Sequence, residues 1–144
     1  MTKRNVTVIV KQFSNGTAVS GAGIGAHHVF VYGSLVDPRR LDEVLGRRFT
    51  GERLRARLDG FARVTTDGWD YPFLVADVGG GADGVLIMDL SASDLEKLDG
   101  YEEVTEGVYE RITVEVEVWG CGPRPALLRA QTYIGGPKLR STAA

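Results

Sequence analysis

The clearest structural signal in this chain is a strict alternation of apolar and polar side chains over residues 112–118, which read Ile-Thr-Val-Glu-Val-Glu-Val. A period of two places successive side chains on opposite faces of an extended strand, so one face can be buried while the other is solvated. Residues 120–125 are rich in glycine and proline and therefore predict a turn. We expect residues 126–134 to return as the next strand.

Four more strands are predicted upstream, at residues 29–31, 53–65 with a bend at Asp59-Gly60, 72–78 and 84–90. The last two are separated by a predicted loop over residues 79–83, which contains three consecutive glycines. Arginines at positions 53, 55 and 57 alternate with apolar residues. We interpret them as the solvated face of a strand in preference to a phosphate-binding patch.

Two short helices complete the pattern. Asp37 as N-cap, Pro38 at the first helical position and Gly46 at the end predict a helix over residues 38–45. Ser93 and Glu96 read as a capping box for a second helix over residues 91–98, ending before Gly100. Six short strands, two small helices and no regular alternation of strand with helix predict an antiparallel, barrel-like α+β domain.

The chain divides into three predicted regions: a leader at 1–28, a globular domain at 29–134 and a polar tail at 135–144. The leader contains a stretch of small residues at 14–26 and is expected to be partly disordered, and the tail is expected to be loose. With 144 residues and 43% hydrophobic content, the chain can bury one core.

Charge and composition exclude several function classes. The net charge of −2, from 17 basic and 19 acidic residues, gives no bias toward nucleic acid or an anionic membrane. His27 and His28 are adjacent and would lie on opposite faces of an extended chain, so we expect no metal site. Cys121 is the single cysteine, so we expect no internal disulfide, and we expect no cofactor. The apolar run at residues 6–10 is interrupted by Thr7 and is too short for a signal peptide, which favours a cytoplasmic protein.

Two segments carry possible chemistry. The apolar run at residues 29–31 ends in Tyr32-Gly33-Ser34-Leu35, where a glycine-broken strand end can present backbone N–H groups to a ligand. Some seventy residues later, Leu98-Asp99-Gly100-Tyr101-Glu102 places a carboxylate just past a predicted helix end, as a general acid/base requires. Together the two segments indicate an enzyme.

Six motifs occur in an order that resembles the gamma-glutamylcyclotransferase-like, or AIG2-like, superfamily, which includes gamma-glutamylamine cyclotransferases. They are Tyr32-Gly33-Ser34-Leu35, Tyr71-Pro72, Gly84-Val85-Leu86, Leu98-Asp99-x-x-Glu102, Tyr109-x-Arg111 leading into residues 113–116, and Ala130-x-x-Tyr133. The resemblance covers residues 29–134. It implies a small, closed, mainly antiparallel six-stranded barrel with a pocket at one side.

The resemblance also implies a reaction: the α-amine of a γ-glutamyl group attacks its own γ-carbonyl and releases an amine or amino acid with 5-oxoproline. By the same resemblance, Glu102 is the general acid/base and the backbone at residues 33–35 holds the γ-glutamyl group. Tyr32, Tyr109 and Tyr133 are candidates to line the pocket, although buried core tyrosines are an equal alternative. The implied partner is a small γ-glutamyl substrate, and no cofactor is implied.

Several alternatives stay open. Glu103 and Glu106 lie close to Glu102 and are interpreted as solvated loop charges, one of which Arg111 could tether. Ser34 is not expected to be a nucleophile, because no elbow motif surrounds it. A binding module that keeps the pocket without turnover is the main functional alternative, and a hydrolase that activates water with Glu102 is a weaker one. Trp69 and Tyr71 either shape the pocket mouth or cap the barrel, while leaving group and oligomeric state are not set by the sequence.

Overall fold

Within residues 27–67 and 69–139, which the computed structural model describes, five strands form one sheet that closes on itself. The strands are β1 (His27–Val31), β2 (Arg53–Thr66), β3 (Trp69–Leu90), β4 (Tyr109–Val118) and β5 (Ala126–Gly135). The order is β1-β3-β2-β4-β5, and β1 also pairs with β5. The α+β class is therefore confirmed.

The pairing is antiparallel except at the closing seam. β2 and β3 form a long hairpin, β4 and β5 form a second one, and β1 runs antiparallel to β3. Only the β1–β5 pair among the described strands is parallel, with Phe30 opposite Thr132. The Thr132 hydroxyl also donates a 2.8 Å hydrogen bond to the Phe30 carbonyl, which supports this seam.

The predicted count of six strands is wrong, because residues 72–78 and 84–90 belong to the single strand β3. Gly81 pairs with Asp59, and Ala76 pairs with Phe61. The β3 residues between these two pairs form a bulge, and the strand continues on both sides of it. A side chain at Gly81 would collide with the guanidinium of Arg57, which crosses over this position. The glycine here serves a close approach between strands, whereas sequence alone favoured a loop.

The helices lie where the chain leaves the sheet. A 3₁₀ turn (Ser34–Val36) leads into α1 (Pro38–Leu45), whose N-cap Asp37 accepts a 3.0 Å hydrogen bond from the Arg39 N–H. Gly46 ends α1 in the left-handed conformation at φ 72°, as predicted.

The second helix, α2, spans Ala92–Tyr101. Its N-cap is Ser91, and the capping box pairs Ser91 with Asp94, so the predicted box of Ser93 and Glu96 is wrong. Asp94 is 2% exposed and also forms a 2.6 Å ion pair with Arg47, which the helix-local pattern could not reveal. Gly100 does not stop the helix, which continues until Glu102 forms its C-cap.

Two apolar clusters form the core. One consists of strand residues such as Phe30, Phe61 and Leu86. The other joins the sheet to α1 and α2 and is called here the cluster beneath the helices. β1 contributes to both, because Phe30 points to the first cluster while its neighbours Val29 and Val31 pack in the second. The buried end of β1 is therefore held firmly where the chain enters residues 32–35.

The predicted end regions are described only in part. Most of the predicted leader, residues 1–26, lies outside the described residues, and so do residues 140–144 of the predicted tail. Within the described part of that tail, Leu139 is 5% exposed and packs in the cluster beneath the helices. No helix in the described part of the chain is long and apolar enough to cross a membrane.

Candidate active site

A cavity of about 300 Å³ lies beside the C-terminal end of β1. Its walls include all seven residues proposed for the site from the sequence: Tyr32, Gly33, Ser34, Leu35, Glu102, Tyr109 and Tyr133. They come from the turn after β1, the end of α2, and strands β4 and β5. The structure therefore brings the two chemically informative segments of the sequence to one place.

The Tyr-Gly-Ser-Leu loop is shaped by a buried anchor and by its own hydrogen bonds. Leu35 is 3% exposed and packs in the cluster beneath the helices, so its side chain anchors the loop to the core. The N–H groups of Val36 and Asp37 bond back to the carbonyls of Gly33 and Ser34 at 3.0 and 3.2 Å. As in any helical turn, these internal bonds do not use the first N–H groups, those of Ser34 and Leu35.

Glu102 is placed by the end of α2. Its N–H bonds to the Leu98 carbonyl at 2.9 Å, and the next residue, Glu103, takes a left-handed φ of 54° that turns the chain away. Glu102 is half-buried and is one of the residues that line the cavity. Burial, and secondly the charge of Asp99, raise the pKa of Glu102 to about 8. The free carboxyl is thus largely protonated at neutral pH.

Asp99 lies one helical turn before Glu102 in a different environment. Arg111 donates to both of its carboxylate oxygens, at 2.8 and 3.1 Å, and the Tyr133 hydroxyl donates at 2.7 Å. Arg111 also donates to Gln131, which in turn donates to Thr113. Arg111 was predicted as a tether for Glu103 or Glu106, and that prediction is wrong: the tertiary fold gives it Asp99 instead.

The three tyrosines are largely buried, and their hydroxyl protons are engaged by the protein. Tyr32 donates to the Tyr133 carbonyl at 2.5 Å, Tyr109 donates to the Pro72 carbonyl at 3.0 Å, and Tyr133 donates to Asp99. Burial raises the pKa of Tyr32 and of Tyr133 well above the usual tyrosine value, so both stay protonated. Each tyrosine thus stabilises the wall, and contact with a substrate stays a prediction.

Some wall residues were not assigned from the sequence. Tyr101 bonds to Ser34 through their hydroxyl oxygens at 2.7 Å, and Arg40 donates to the same Tyr101 oxygen at 3.1 Å. Tyr101 stands directly before Glu102 in the quoted motif, so that neighbourhood was an available signal. Arg40 carried no such signal in the sequence, because it lies on α1 and comes to the cavity only in the tertiary structure. Tyr71 lines the cavity, which is consistent with the first of its two predicted positions, the pocket mouth.

The other residues considered for a catalytic role differ from Glu102 in where they lie. Glu103 reaches the cavity wall but is exposed, whereas Glu106 is exposed and is not among the lining residues. The Ser34 hydroxyl is paired with the Tyr101 hydroxyl, and no histidine is among the described residues that line the cavity. Within residues 27–67 and 69–139, no group of three His, Cys, Asp or Glu side chains could hold a metal ion.

A family model and several known proteins match most of this chain. The family model for gamma-glutamyl cyclotransferase, AIG2-like, matches residues 29–143. AIG2-like protein A of Arabidopsis thaliana is 34% identical over 110 residues, which cover 69% of this chain and 66% of that protein. The match thus spans just under two-thirds of that relative's length.

Solved structures share the fold. A protein of Arabidopsis thaliana solved in solution is 31% identical, with a TM-score of 0.66, covering 81% of this chain and 76% of that one. A structure named gamma-glutamyl cyclotransferase has a TM-score of 0.63 at 20% identity, covering 76% of this chain and 66% of that one. The second likeness concerns the fold alone.

Proposed function

Because this chain belongs to the gamma-glutamyl cyclotransferase, AIG2-like family, we propose that it is an enzyme that converts a small γ-glutamyl amide into 5-oxoproline and a free amine. The α-amine nitrogen bonds to the γ-carbonyl carbon, and the bond from that carbon to the departing nitrogen breaks. The attacking nitrogen loses two protons and the departing nitrogen gains two, one through Glu102 and one through solvent. The reaction balances without a co-reactant.

The observation that carries the proposal is a carboxyl group of raised pKa in the same cavity as the Tyr-Gly-Ser-Leu loop. A pKa of about 8 for Glu102 lies close to the working pH, where one group can both accept and return a proton. A substrate ammonium beside Glu102 favours the carboxylate form and so prepares the group as a base. A positioned acid/base contributes about 10²–10⁴-fold to a rate.

The loop supplies the second requirement, donors for the oxyanion that develops on the γ-carbonyl. The Ser34 and Leu35 N–H groups are not needed by the turn itself, and the buried Leu35 side chain holds them in place. Donors that are held rigidly before the reaction stabilise developing charge without reorganisation. The cavity also keeps the substrate folded back, so that its amine and carbonyl meet as an intramolecular pair.

The proposal is tested by incubating the purified protein with a panel of γ-glutamyl amines and γ-glutamyl dipeptides and measuring 5-oxoproline by mass spectrometry. Glu102→Gln should abolish release while the circular dichroism spectrum stays unchanged. Glu106→Gln, at an exposed position that is not among the lining residues, is the matched control and should keep most of the activity.

Other outcomes would overturn the proposal in distinct ways. Full activity of Glu102→Gln would remove the assigned acid/base. Free glutamate in place of 5-oxoproline would point to hydrolysis. Ligand binding without any product across the panel would favour a binding module that keeps the same pocket.

A further inference from the structure

The outer part of the cavity carries a cation that the proposed cyclisation does not use. Arg40 is the one basic side chain among the described residues that line the cavity, whereas Glu102 and Glu103 are acidic. Its Nη1 donates to the Tyr101 hydroxyl at 3.1 Å, and that hydroxyl bonds to Ser34 at 2.7 Å. The guanidinium is thus tied to the loop that we assign to the γ-glutamyl group.

The exposed fractions of the lining residues distinguish an inner end of the cavity from an outer end. Tyr133 and Tyr109 are 2% and 7% exposed and form the inner wall, while Tyr71 is 50% exposed and stands at the rim. Arg40 is exposed on α1, with 43% of its side chain accessible. Glu102 and Arg40 thus line the same cavity, and Arg40 belongs to its more exposed part.

The existing partners of Arg40 leave it able to bind an anion. Its Nε lies 3.4 Å from Glu43 on the same helix, and the Glu43 side chain is 66% exposed. Exposed ion pairs of this kind are weak. A guanidinium also has more N–H donors than the one bond to Tyr101 uses, and it matches a carboxylate in shape and charge.

We propose that Arg40, held by Tyr101, binds a carboxylate on the leaving group, so that γ-glutamyl amino acids are preferred over neutral γ-glutamyl amides. This inference rests on the proposed cyclotransferase function. It places opposite charges of the substrate at opposite ends of the cavity: the ammonium at Glu102 and the leaving-group carboxylate at Arg40. Arg40 then determines specificity without touching the reacting atoms.

The test uses two ligands, γ-L-glutamyl-L-alanine and γ-L-glutamyl-L-alaninamide. Both keep the α-carboxylate of the γ-glutamyl group and differ only in the leaving-group carboxylate. Affinities are measured by calorimetry in the Glu102→Gln background, where ligand is not consumed, and kcat/KM is measured with Glu102 intact. We expect the dipeptide to be favoured about five- to tenfold, and the preference to shrink with added salt.

Variants then assign the preference to one side chain. Arg40→Gln should bring the dipeptide-to-amide ratio close to one, and Arg40→Lys should keep part of the preference because the charge remains. Arg39→Gln is the matched control: Arg39 is the neighbouring exposed arginine on the same helix and is not among the lining residues. It should leave the ratio unchanged.

Three results would overturn the inference: no preference for the dipeptide, no detectable binding of either ligand, or an equal loss for both ligands in Arg40→Gln. The last would mean that Arg40 binds the α-carboxylate of the γ-glutamyl group. The two proposals fail separately. A charge preference without 5-oxoproline would refute the cyclotransferase, whereas 5-oxoproline without a charge preference would refute the role of Arg40.

Discussion

Arg111 grips Asp99 through both carboxylate oxygens and leaves Glu102, three residues later, without an ion pair among the described residues. Two carboxyl groups at one helix end are thereby given different chemistry. Asp99 is held by a cation and by the Tyr133 hydroxyl, while burial and the charge of Asp99 raise the pKa of Glu102 to about 8. Separate environments for neighbouring carboxyl groups are a common basis for an acid/base assignment.

The first prediction concerns the pH dependence of catalysis. Since Glu102 must lose its proton to act as a base, kcat/KM should rise with pH and level off above about 8. The measurement is a kcat/KM profile from pH 5.5 to 9.5, with the substrate amine titrated separately. Glu106→Gln, outside the cavity wall, should show the same profile as the parent protein, and a flat profile would argue against Glu102 as the base.

The second prediction concerns stability. Because the folded-state pKa of Glu102 is raised, the native protein holds a proton that the unfolded chain has already lost between about pH 4.5 and 8. The free energy of unfolding should therefore fall with rising pH through this window and then level off. Glu102→Gln should be more stable than the parent above pH 8, by about 1–3 kcal/mol after allowance for partial exposure.

Urea denaturation at pH 4.5 and pH 9 measures this difference. At the lower pH both carboxyl and amide are neutral, so the two proteins should be close in stability. A variant that is less stable than the parent at pH 9 would contradict the desolvated carboxyl.

The third prediction treats Asp99 as a positioning residue. Asp99→Asn removes a negative charge near Glu102 and frees the Arg111 cation, and both changes favour the Glu102 carboxylate. The midpoint of the kcat/KM profile should move to lower pH, although it should stay above 4.5 because burial is the larger cause of the raised pKa. An unmoved midpoint would contradict the role of Asp99 in setting the pKa of Glu102.

The fourth prediction concerns the loop anchor. Leu35→Ala should cost about 2–4 kcal/mol of stability, because it opens a cavity in the cluster beneath the helices. It should also weaken substrate binding, since the loop backbone loses its anchor. Val36→Ala, at the partly buried next position, is the control and should cost less in both measurements. Equal effects of the two variants on binding would contradict the anchoring role.

Local patterns in the sequence predicted much of the fold. Alternation located β4, the turn at residues 120–125 located β5, and capping chemistry located both ends of α1, because each signal depends on residues that are neighbours in the chain. The stretch at 79–83 was misread as a loop, since Gly81, Ala82 and Asp83 continue the strand only by pairing with β2, and local composition does not encode that pairing. The capping box of α2 was misplaced because Ser91 and Ser93 offer the same local signal.

The strand pattern, the glycine-broken end of β1 and the carboxylate at the end of α2 could be predicted from the chain alone, since they follow from side-chain period and local backbone preference. Their meeting in one cavity, the pairing of Arg111 with Asp99, and the contact of Arg40 with Tyr101 across 61 positions of the chain depend on the folded structure. These contacts join residues that are distant along the chain. Burial, charge pairing and pKa depend on neighbours in space, which the closed sheet brings together and local sequence does not encode.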